Sequence, residues 1–173
     1  MISVISGANR PDAITPGLAR QYYHLLETIS PQTPLGFINL QELPRDFLFS
    51  SYNNPSPIGR WQSWLDQSTR VVWMFPEYNG SFPGVLKHFL DGLRYPDTLP
   101  GKKACVVALG AGSQGGALAM SHFSDILNYM GMVVAPLRVR IPQVYQKLDG
   151  QQKLADPETL SLWRQQIDQL LSL

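Results

Sequence analysis

Apolar residues along this chain form two patterns that alternate from one end to the other. Continuous apolar runs predict buried strands at residues 2–6, 35–40, 70–75 and 104–109, and a fifth strand that starts at Met132 and extends towards Ile141. Between these runs, apolar residues recur at the spacing of an amphipathic helix, as in Leu86, Phe89, Leu90 and Leu93. Because strand and helix alternate five times, the pattern predicts an α/β fold, with a doubly wound parallel sheet and helices on both faces.

The number of strands favours one arrangement of the sheet. Five parallel strands without a dinucleotide-type G-x-G-x-x-G motif favour the order 2-1-3-4-5, which is the flavodoxin-like order. At 173 residues the chain has the size of one domain, so we expect residues 1–173 to form a single flavodoxin-like unit. Ligands of such open sheets bind at the carboxyl ends of the strands. The loops that follow the strands are therefore the expected location of a binding site.

Composition and charge exclude several classes of function. The net charge of +1 gives no argument for binding nucleic acid or an anionic membrane. No apolar run reaches the roughly 18 residues of a membrane span, and residues 1–6 lack the basic start of a signal peptide. The one cysteine, Cys105, excludes an internal disulfide and a cysteine cluster for zinc, and no metal site is expected. These features favour a cytoplasmic location.

Three loops follow predicted strands at what should be one edge of the sheet, and each leads into a helix. They span residues 7–15, 76–83 and 110–116. Backbone N–H groups at a helix N-terminus favour anions, and the helix dipole adds to this effect. The first loop also contains Asn9, Arg10 and Thr15, whose side chains can donate hydrogen bonds to a phosphate.

Prolines and capping residues predict where three helices begin. Thr15 is the predicted N-cap of the first helix, with Pro16 at the first helical position. Pro83 is predicted at the first position of the helix that follows the third strand. The last helix is predicted to begin at Asp156-Pro157-Glu158, which supplies a cap, a proline and an acidic first turn.

The second loop resembles a motif of a known family. The segment Pro76-Glu-Tyr-Asn-Gly-Ser-Phe-Pro-Gly-Val-Leu-Lys87 is similar to the PEYNxSxPGxLK motif of the NAD(P)H-dependent FMN reductase family, whose members are flavodoxin-like oxidoreductases. The similarity spans adjacent positions and is far more specific than a lone glycine pattern. It implies FMN as the cofactor and NAD(P)H as the co-substrate.

The resemblance assigns one part of the flavin to each loop. The first loop would hold the phosphate, and the second and third would hold the isoalloxazine ring, which Tyr78 would flank. Backbone N–H groups near Asn79 and Gly80 would approach N5 and O4 of the flavin, a close approach that glycine permits. Because the cofactor carries the chemistry, no catalytic side chain is assigned. The implied cofactor-binding residues are Asn9, Arg10, Ala13, Ile14, Thr15, Pro76, Glu77, Tyr78, Asn79, Gly80, Gly110, Ala111, Gly112, Ser113 and Gly115.

The chain departs from the family pattern in the first loop. Family members usually have serine at the position of Ala13 and often asparagine at that of Ile14, and some have arginine at that of Leu118. Two phosphate donors are therefore missing, whereas Arg10 and Thr15 remain. We expect the departure to affect the strength of FMN binding more than the fold.

The implied function is an FMN-dependent oxidoreductase. It would take hydride from NAD(P)H and reduce a flavin, a quinone or a similar small acceptor, and one open flavin face serving both partners predicts ping-pong kinetics. A flavin-binding electron carrier without nicotinamide activity is one alternative, although flavodoxins are typically acidic and this chain is near neutral. A nucleotide-binding module with weakened flavin binding, prompted by Ala13 and Ile14, is another.

A homodimer or tetramer is the expected assembly. The helices after the third and fourth strands carry more apolar residues than one sheet face needs, namely Phe89, Leu93, Phe123, Leu127 and Met130. The resemblance also implies dimers in which a loop of the neighbouring subunit helps to cover the flavin. The aromatic segment from Phe47 to Tyr52 is the predicted cover.

Overall fold

A computed structural model describes residues 1–44, 47 and 53–173, in which strands and helices alternate. The strands of these residues are β1 (Ile2–Ser6), β2 (Leu35–Asn39), β3 (Arg70–Pro76), β4 (Lys103–Leu109), β5 (Val133–Val134) and β6 (Val139–Ile141). The α-helices are α1 (Thr15–Ile29), α2 (Gly59–Gln67), α3 (Gly84–Gly92), α4 (Ala117–Tyr129) and α5 (Pro157–Ser172). None of the helices in these residues is long and apolar enough to cross a membrane.

The strands form one parallel sheet in the predicted order. Its path is β2-β1-β3-β4-β5, and β6 pairs with β4 beyond the end of β5. The prediction of a single fifth strand is wrong in one respect, because β5 and β6 are two short pieces separated by residues 135–138. Pro136 lies in the gap and has no N–H to donate to the ladder, which explains why the pairing is interrupted there.

Both faces of the sheet are buried, as the continuous apolar runs predict. In β3, Trp73 and Phe75 point to one face, whereas Val72 and Met74 point to the other. Helices α2, α3 and α4 pack on the first face, and α1 and α5 pack on the second. Cys105 lies in the second core, and burial raises the pKa of its thiol to about 12, as befits an inert core cysteine.

Two of the three predicted helix starts are wrong by one residue. Ile14, and not Thr15, occupies the N-cap of α1, and Thr15 is the buried first residue of the helix. Pro83 has an extended backbone with ψ of 139° and forms the N-cap of α3, so this helix begins at Gly84. The third start is confirmed, since the carboxylate of Asp156 accepts a hydrogen bond from the N–H of Thr159 at 2.9 Å.

The apolar residues that suggested a dimer face are mostly used within the chain. Phe89, Leu93, Phe123 and Leu127 are buried in the core of the first face, and Met130 packs against it. Phe89, Phe123 and Leu127 therefore stabilise the chain's own fold, and the reasoning from them to a dimer surface is wrong. Leu93 and Met130 also line a surface groove.

Phe47, which begins the predicted aromatic cover, is also buried within its own chain. Its ring lies so close to Gly92 that a Cβ at position 92 would be 2.1 Å from Phe47 Cζ. The ring of His88 donates to the carbonyl oxygen of Phe47 through Nε2, at 2.9 Å. Phe47 thus packs against α3 of its own chain, while Phe49 and Tyr52 lie outside the described residues.

Candidate active site

An open cleft of about 170 Å³ lies at the edge of the sheet where β1, β3 and β4 end. It is shallower than the enclosed pockets of about 300–1,000 Å³ that bury most of a small ligand, so a ligand bound there would keep part of its surface exposed. The cleft is lined by Arg10, Asp12, Ala13, Ile14, Thr15, Pro76, Glu77, Tyr78, Leu109, Gly110, Ala111, Val144 and Tyr145. The three predicted loops therefore meet at one place, together with a fourth segment that follows β6.

The structure separates the sequence-based candidates into two groups. Arg10, Ala13, Ile14, Thr15, Pro76, Glu77, Tyr78, Gly110 and Ala111 line the cleft. Asn9, Asn79, Gly80, Gly112, Ser113 and Gly115 are absent from its described lining. Sequence reasoning missed four lining residues, namely Asp12, Leu109, Val144 and Tyr145.

The first loop contains a tight turn that brings Arg10 and Asp12 together. The N–H of Ala13 donates to the carbonyl oxygen of Arg10 at 3.1 Å, and Pro11 occupies the position of the turn that proline favours. The guanidinium of Arg10 donates to both carboxylate oxygens of Asp12, from Nε at 3.1 Å and from Nη2 at 2.8 Å. These hydrogen bonds lower the pKa of Asp12 and raise that of Arg10. The Arg-Pro-Asp sequence was a usable signal for this pair.

Helix α1 begins at the cleft with its N-terminal N–H groups available. Its N-cap is Ile14, and no described side chain caps the first turn. Ile14 and Thr15 both line the cleft, so the uncapped end of the helix opens into it. Uncapped N–H groups combined with the helix dipole favour an anion such as a phosphate.

The second loop is a two-residue hairpin built on Asn79-Gly80. The N–H of Tyr78 donates to the carbonyl oxygen of Ser81 at 2.8 Å, and the N–H of Ser81 donates back to that of Tyr78 at 3.1 Å. Asn79 and Gly80 have φ of 51° and 77°, the positive values that make Asn-Gly the preferred pair for this turn. A Cβ on Gly80 would lie 3.7 Å from Leu118 Cδ1, so the turn sits beside the start of α4. Partial burial raises the pKa of Tyr78, whose ring faces the cleft.

Glu77 holds the end of β3 in place. Its N–H donates to the carbonyl oxygen of Leu109 at 2.8 Å, which ties the second loop to the end of β4. Its carboxylate accepts a hydrogen bond from the N–H of Ala119 at 3.2 Å, in the first turn of α4. The N-cap residue of that helix, Gly116, has no side chain to do this. Glu77 therefore acts as a cap from outside the helix, which is a structural role.

Removing this cap should cost stability. Capping bonds contribute about 0.5–2 kcal/mol, so we expect Glu77→Ala to lower the free energy of unfolding by about 1 kcal/mol. Glu77→Gln keeps an oxygen that accepts from Ala119 and should lose less. Urea denaturation of the three proteins measures this, and equal losses in both variants would show that the carboxylate charge, and not the hydrogen bond, is what matters.

The third loop is fastened to the segment that follows β6. The N–H of Val144 donates to the carbonyl oxygen of Gly110, and that of Gln143 donates to the carbonyl oxygen of Gly112, both at 3.0 Å. These bonds bring Val144 and Tyr145 into the cleft, which no sequence motif indicated. Glycines 110, 112 and 115 have the G-x-G-x-x-G spacing of dinucleotide-binding loops, so the expectation that the chain lacks this pattern is wrong. They follow β4 and not the first strand, where that fingerprint belongs, so the predicted strand order is unaffected.

Comparison with known proteins decides the family. A family model described as NADPH-dependent FMN reductase matches residues 1–146, a range that contains the whole cleft. The chain belongs to the NADPH-dependent FMN reductase family. FMN and NAD(P)H are the cofactor and co-substrate of this family, and they agree with the position and form of the cleft.

The sequence identity to individual relatives of this family member is modest. A 2-hydroxy-1,4-benzoquinone reductase of Burkholderia sp. is 27% identical over 152 residues, which cover 86% of this chain and 79% of the relative. An NAD(P)H-dependent FMN reductase of Pseudomonas aeruginosa is 31% identical over 121 residues, which cover 67% of this chain and 64% of the relative. A crystal structure of an apo NADH:FMN oxidoreductase superposes with a TM-score of 0.79 at 22% identity, over 99% of this chain and 89% of the other, which shows a common fold.

The cleft residues of this FMN reductase family member fit the ring of a flavin better than its phosphate. The uncapped start of α1 and the polar side chain of Thr15 suit a phosphate. Tyr78 and Tyr145 offer aromatic faces for a planar ring. The donors that the family usually has at positions 13 and 14 are absent, because Ala13 and Ile14 stand there.

Proposed function

We propose that the cleft binds FMN and that the protein is an NAD(P)H-dependent reductase of small acceptors. The observation that carries this proposal is the meeting of the uncapped α1 N-terminus with the loops after β3 and β4 in one open cleft. When bound, FMN supplies the redox chemistry, because it can accept a hydride from a reduced nicotinamide and pass on the electrons.

The protein residues bind and orient the cofactor in this proposal. The first turn of α1 and Thr15 would hold the phosphate, and the backbone of Pro76 to Tyr78 and of Gly110 to Ala111 would support the ring. Tyr78 and Tyr145 would contact the ring with their side chains. The turn at Asn79 and Gly80 would supply backbone N–H groups to the ring, and Glu77 fixes the position of that loop through α4.

The openness of the cleft supports an order of binding for this proposal. If the cleft leaves one face of the flavin accessible, the nicotinamide and the acceptor would bind in turn, which predicts ping-pong kinetics. The names of two relatives, a quinone reductase and an FMN reductase, support quinones and free flavins as the proposed acceptors.

Steady-state kinetics tests this proposal. With FMN present, NADH or NADPH should be oxidised when a quinone or free flavin is supplied, and double-reciprocal plots at several acceptor concentrations should be parallel. Intersecting lines would replace the ping-pong scheme with a ternary complex. Failure of both nicotinamides to reduce the bound flavin would favour an electron carrier.

We also propose that two copies associate through a groove at the ends of α3 and α4. The groove has a volume of about 490 Å³ and is bordered by Tyr95 and Tyr129, whose exposed fractions are 60% and 85%. Exposed aromatic residues beside an apolar groove are typical of protein interfaces.

A charged substitution on this surface should therefore weaken the dimer and lower the molecular mass in solution. Light scattering at micromolar concentration should give twice the chain mass for the wild type and a lower mass for Tyr129→Glu. Leu173→Glu changes an exposed apolar residue at the end of the chain and should leave the mass unchanged. A monomeric wild type would contradict the proposal.

A further inference from the structure

The arginine that should serve the flavin phosphate is already paired with a carboxylate of the same loop. Arg10 and Asp12 are joined by two hydrogen bonds, of 3.1 and 2.8 Å, in the side-by-side geometry with which a guanidinium also binds a phosphate. Both residues line the cleft. Asp12 thus occupies the same donors that a phosphate would use.

The turn of the first loop keeps the backbone positions of Arg10 and Asp12 close together. The hydrogen bond from the N–H of Ala13 to the carbonyl oxygen of Arg10 closes the turn, and Gln41 Nε2 donates to the same carbonyl oxygen at 2.6 Å. The Arg10 guanidinium also lies 5.5 Å from the centre of the Tyr78 ring. The backbone and the neighbouring loop therefore hold Arg10 within reach of Asp12.

Arg10 is the one cationic side chain among the residues 7–15 of this loop, so no other side chain there replaces its charge. Ala13 and Ile14 offer no side-chain donors, and the charges of Arg10 and Asp12 cancel. The side chains of the pair are 59% and 69% exposed, and exposed ion pairs are weak, so a phosphate dianion can displace the carboxylate. The displaced Asp12 then remains unpaired beside the phosphate and repels it.

We propose that Asp12 competes with the flavin phosphate for Arg10, so that the cleft discriminates only weakly between FMN and riboflavin. This inference rests on the proposed flavin function and names Asp12 as the residue that sets the preference for the phosphorylated cofactor. The phosphate then contributes mainly through the N-terminus of α1, and most of the affinity comes from the ring.

Substitution of Asp12 by asparagine tests this directly. Asp12→Asn keeps the size of the side chain, frees Arg10 and removes the negative charge. Titration calorimetry should show FMN binding about tenfold tighter in the variant, because a hydrogen bond to a charged group is gained. Riboflavin affinity should stay within about twofold, since riboflavin has no phosphate.

Glu27→Gln is the matched control. It removes one carboxylate from α1, where Glu27 accepts from His24 at 3.3 Å, and so changes the net charge equally. Glu27 lies twelve residues beyond Thr15, about 18 Å along the helix, so neither flavin should bind differently. FMN binding by Asp12→Asn should also become more sensitive to salt than that of the wild type, because a free arginine then faces the phosphate.

Two results would overturn the inference. An unchanged ratio of FMN to riboflavin affinity would show that Asp12 does not compete. A lower ratio would show that Asp12 instead holds Arg10 in place for the phosphate. Either result leaves the flavin function standing as long as wild-type protein binds both flavins, whereas a wild type that binds neither would overturn the function and the inference together.

Discussion

Replacement of Gly115 by alanine should destabilise the protein by about 2–4 kcal/mol and weaken FMN binding with it. Gly115 has φ of +61°, where a side chain is strained, and a Cβ there would lie 2.7 Å from the backbone nitrogen of Pro142. Backbone atoms cannot rotate away as a flexible side chain can. The third loop or the segment after β6 must therefore shift, and that segment carries Val144 and Tyr145 into the cleft.

Gly112 provides the control for this prediction in the same loop. No described atom outside its immediate chain neighbours lies within 4 Å of a Cβ built there, and its φ is not in the left-handed region. Gly112→Ala should therefore keep wild-type stability and FMN affinity. Urea denaturation and FMN titration of both variants check this, and equal behaviour of the two alanines would mean that the loop is not packed as described.

Restoration of a hydroxyl at position 13 should tighten FMN binding about tenfold or more. Ala13 lines the cleft next to the uncapped start of α1, so a serine there places its hydroxyl near the proposed phosphate. A hydrogen bond to a charged group contributes roughly 1.5–3 kcal/mol, and about 1.4 kcal/mol corresponds to one decade in affinity. Riboflavin, which lacks the phosphate, should gain nothing.

The contrast between the two flavins separates a local effect from a general one. A change in folding or in ring stacking would alter both affinities, whereas a phosphate contact alters only that of FMN. Equal FMN affinities for the wild type and Ala13→Ser, measured by calorimetry, would place the phosphate away from position 13.

The fold was predictable because its strongest signals are local. Buried parallel strands read as unbroken apolar runs, and the two faces of β3 confirm that both sides are covered. The interruption between β5 and β6 was harder to predict, because it depends on Pro136 in a segment whose apolar residues favour one continuous strand. The prediction of a dimer surface from Phe89 and Phe123 was wrong because helical spacing places apolar residues on one face of a helix. It does not show whether the core of the same chain already buries them.

The site was predictable where backbone turns define it, and unpredictable where distant segments meet. Asn79-Gly80 forms the hairpin that the dipeptide favours, and the three loops converge because parallel strands end at one edge. Tyr145 enters the cleft only because residues 143 and 144 hydrogen-bond to the third loop, a contact that no spacing reveals. The turn that brings Asp12 to Arg10 could be predicted from Pro11 between them. The effect of Asp12 on the phosphate site could not, because it depends on side-chain geometry.

Anaerobic mixing of the FMN-loaded protein with NADPH or NADH shows whether the cleft binds a flavin that a nicotinamide can reduce. We expect FMN to bind and one of the two nicotinamides to bleach its visible absorbance. We also expect Ala111→Trp, which fills the cleft beside Gly110, to abolish binding, whereas the conservative change Gly112→Ala should not. Absence of bleaching with both nicotinamides would show that the protein is not an NAD(P)H-dependent flavin reductase, and unchanged FMN binding in Ala111→Trp would show that the flavin binds elsewhere.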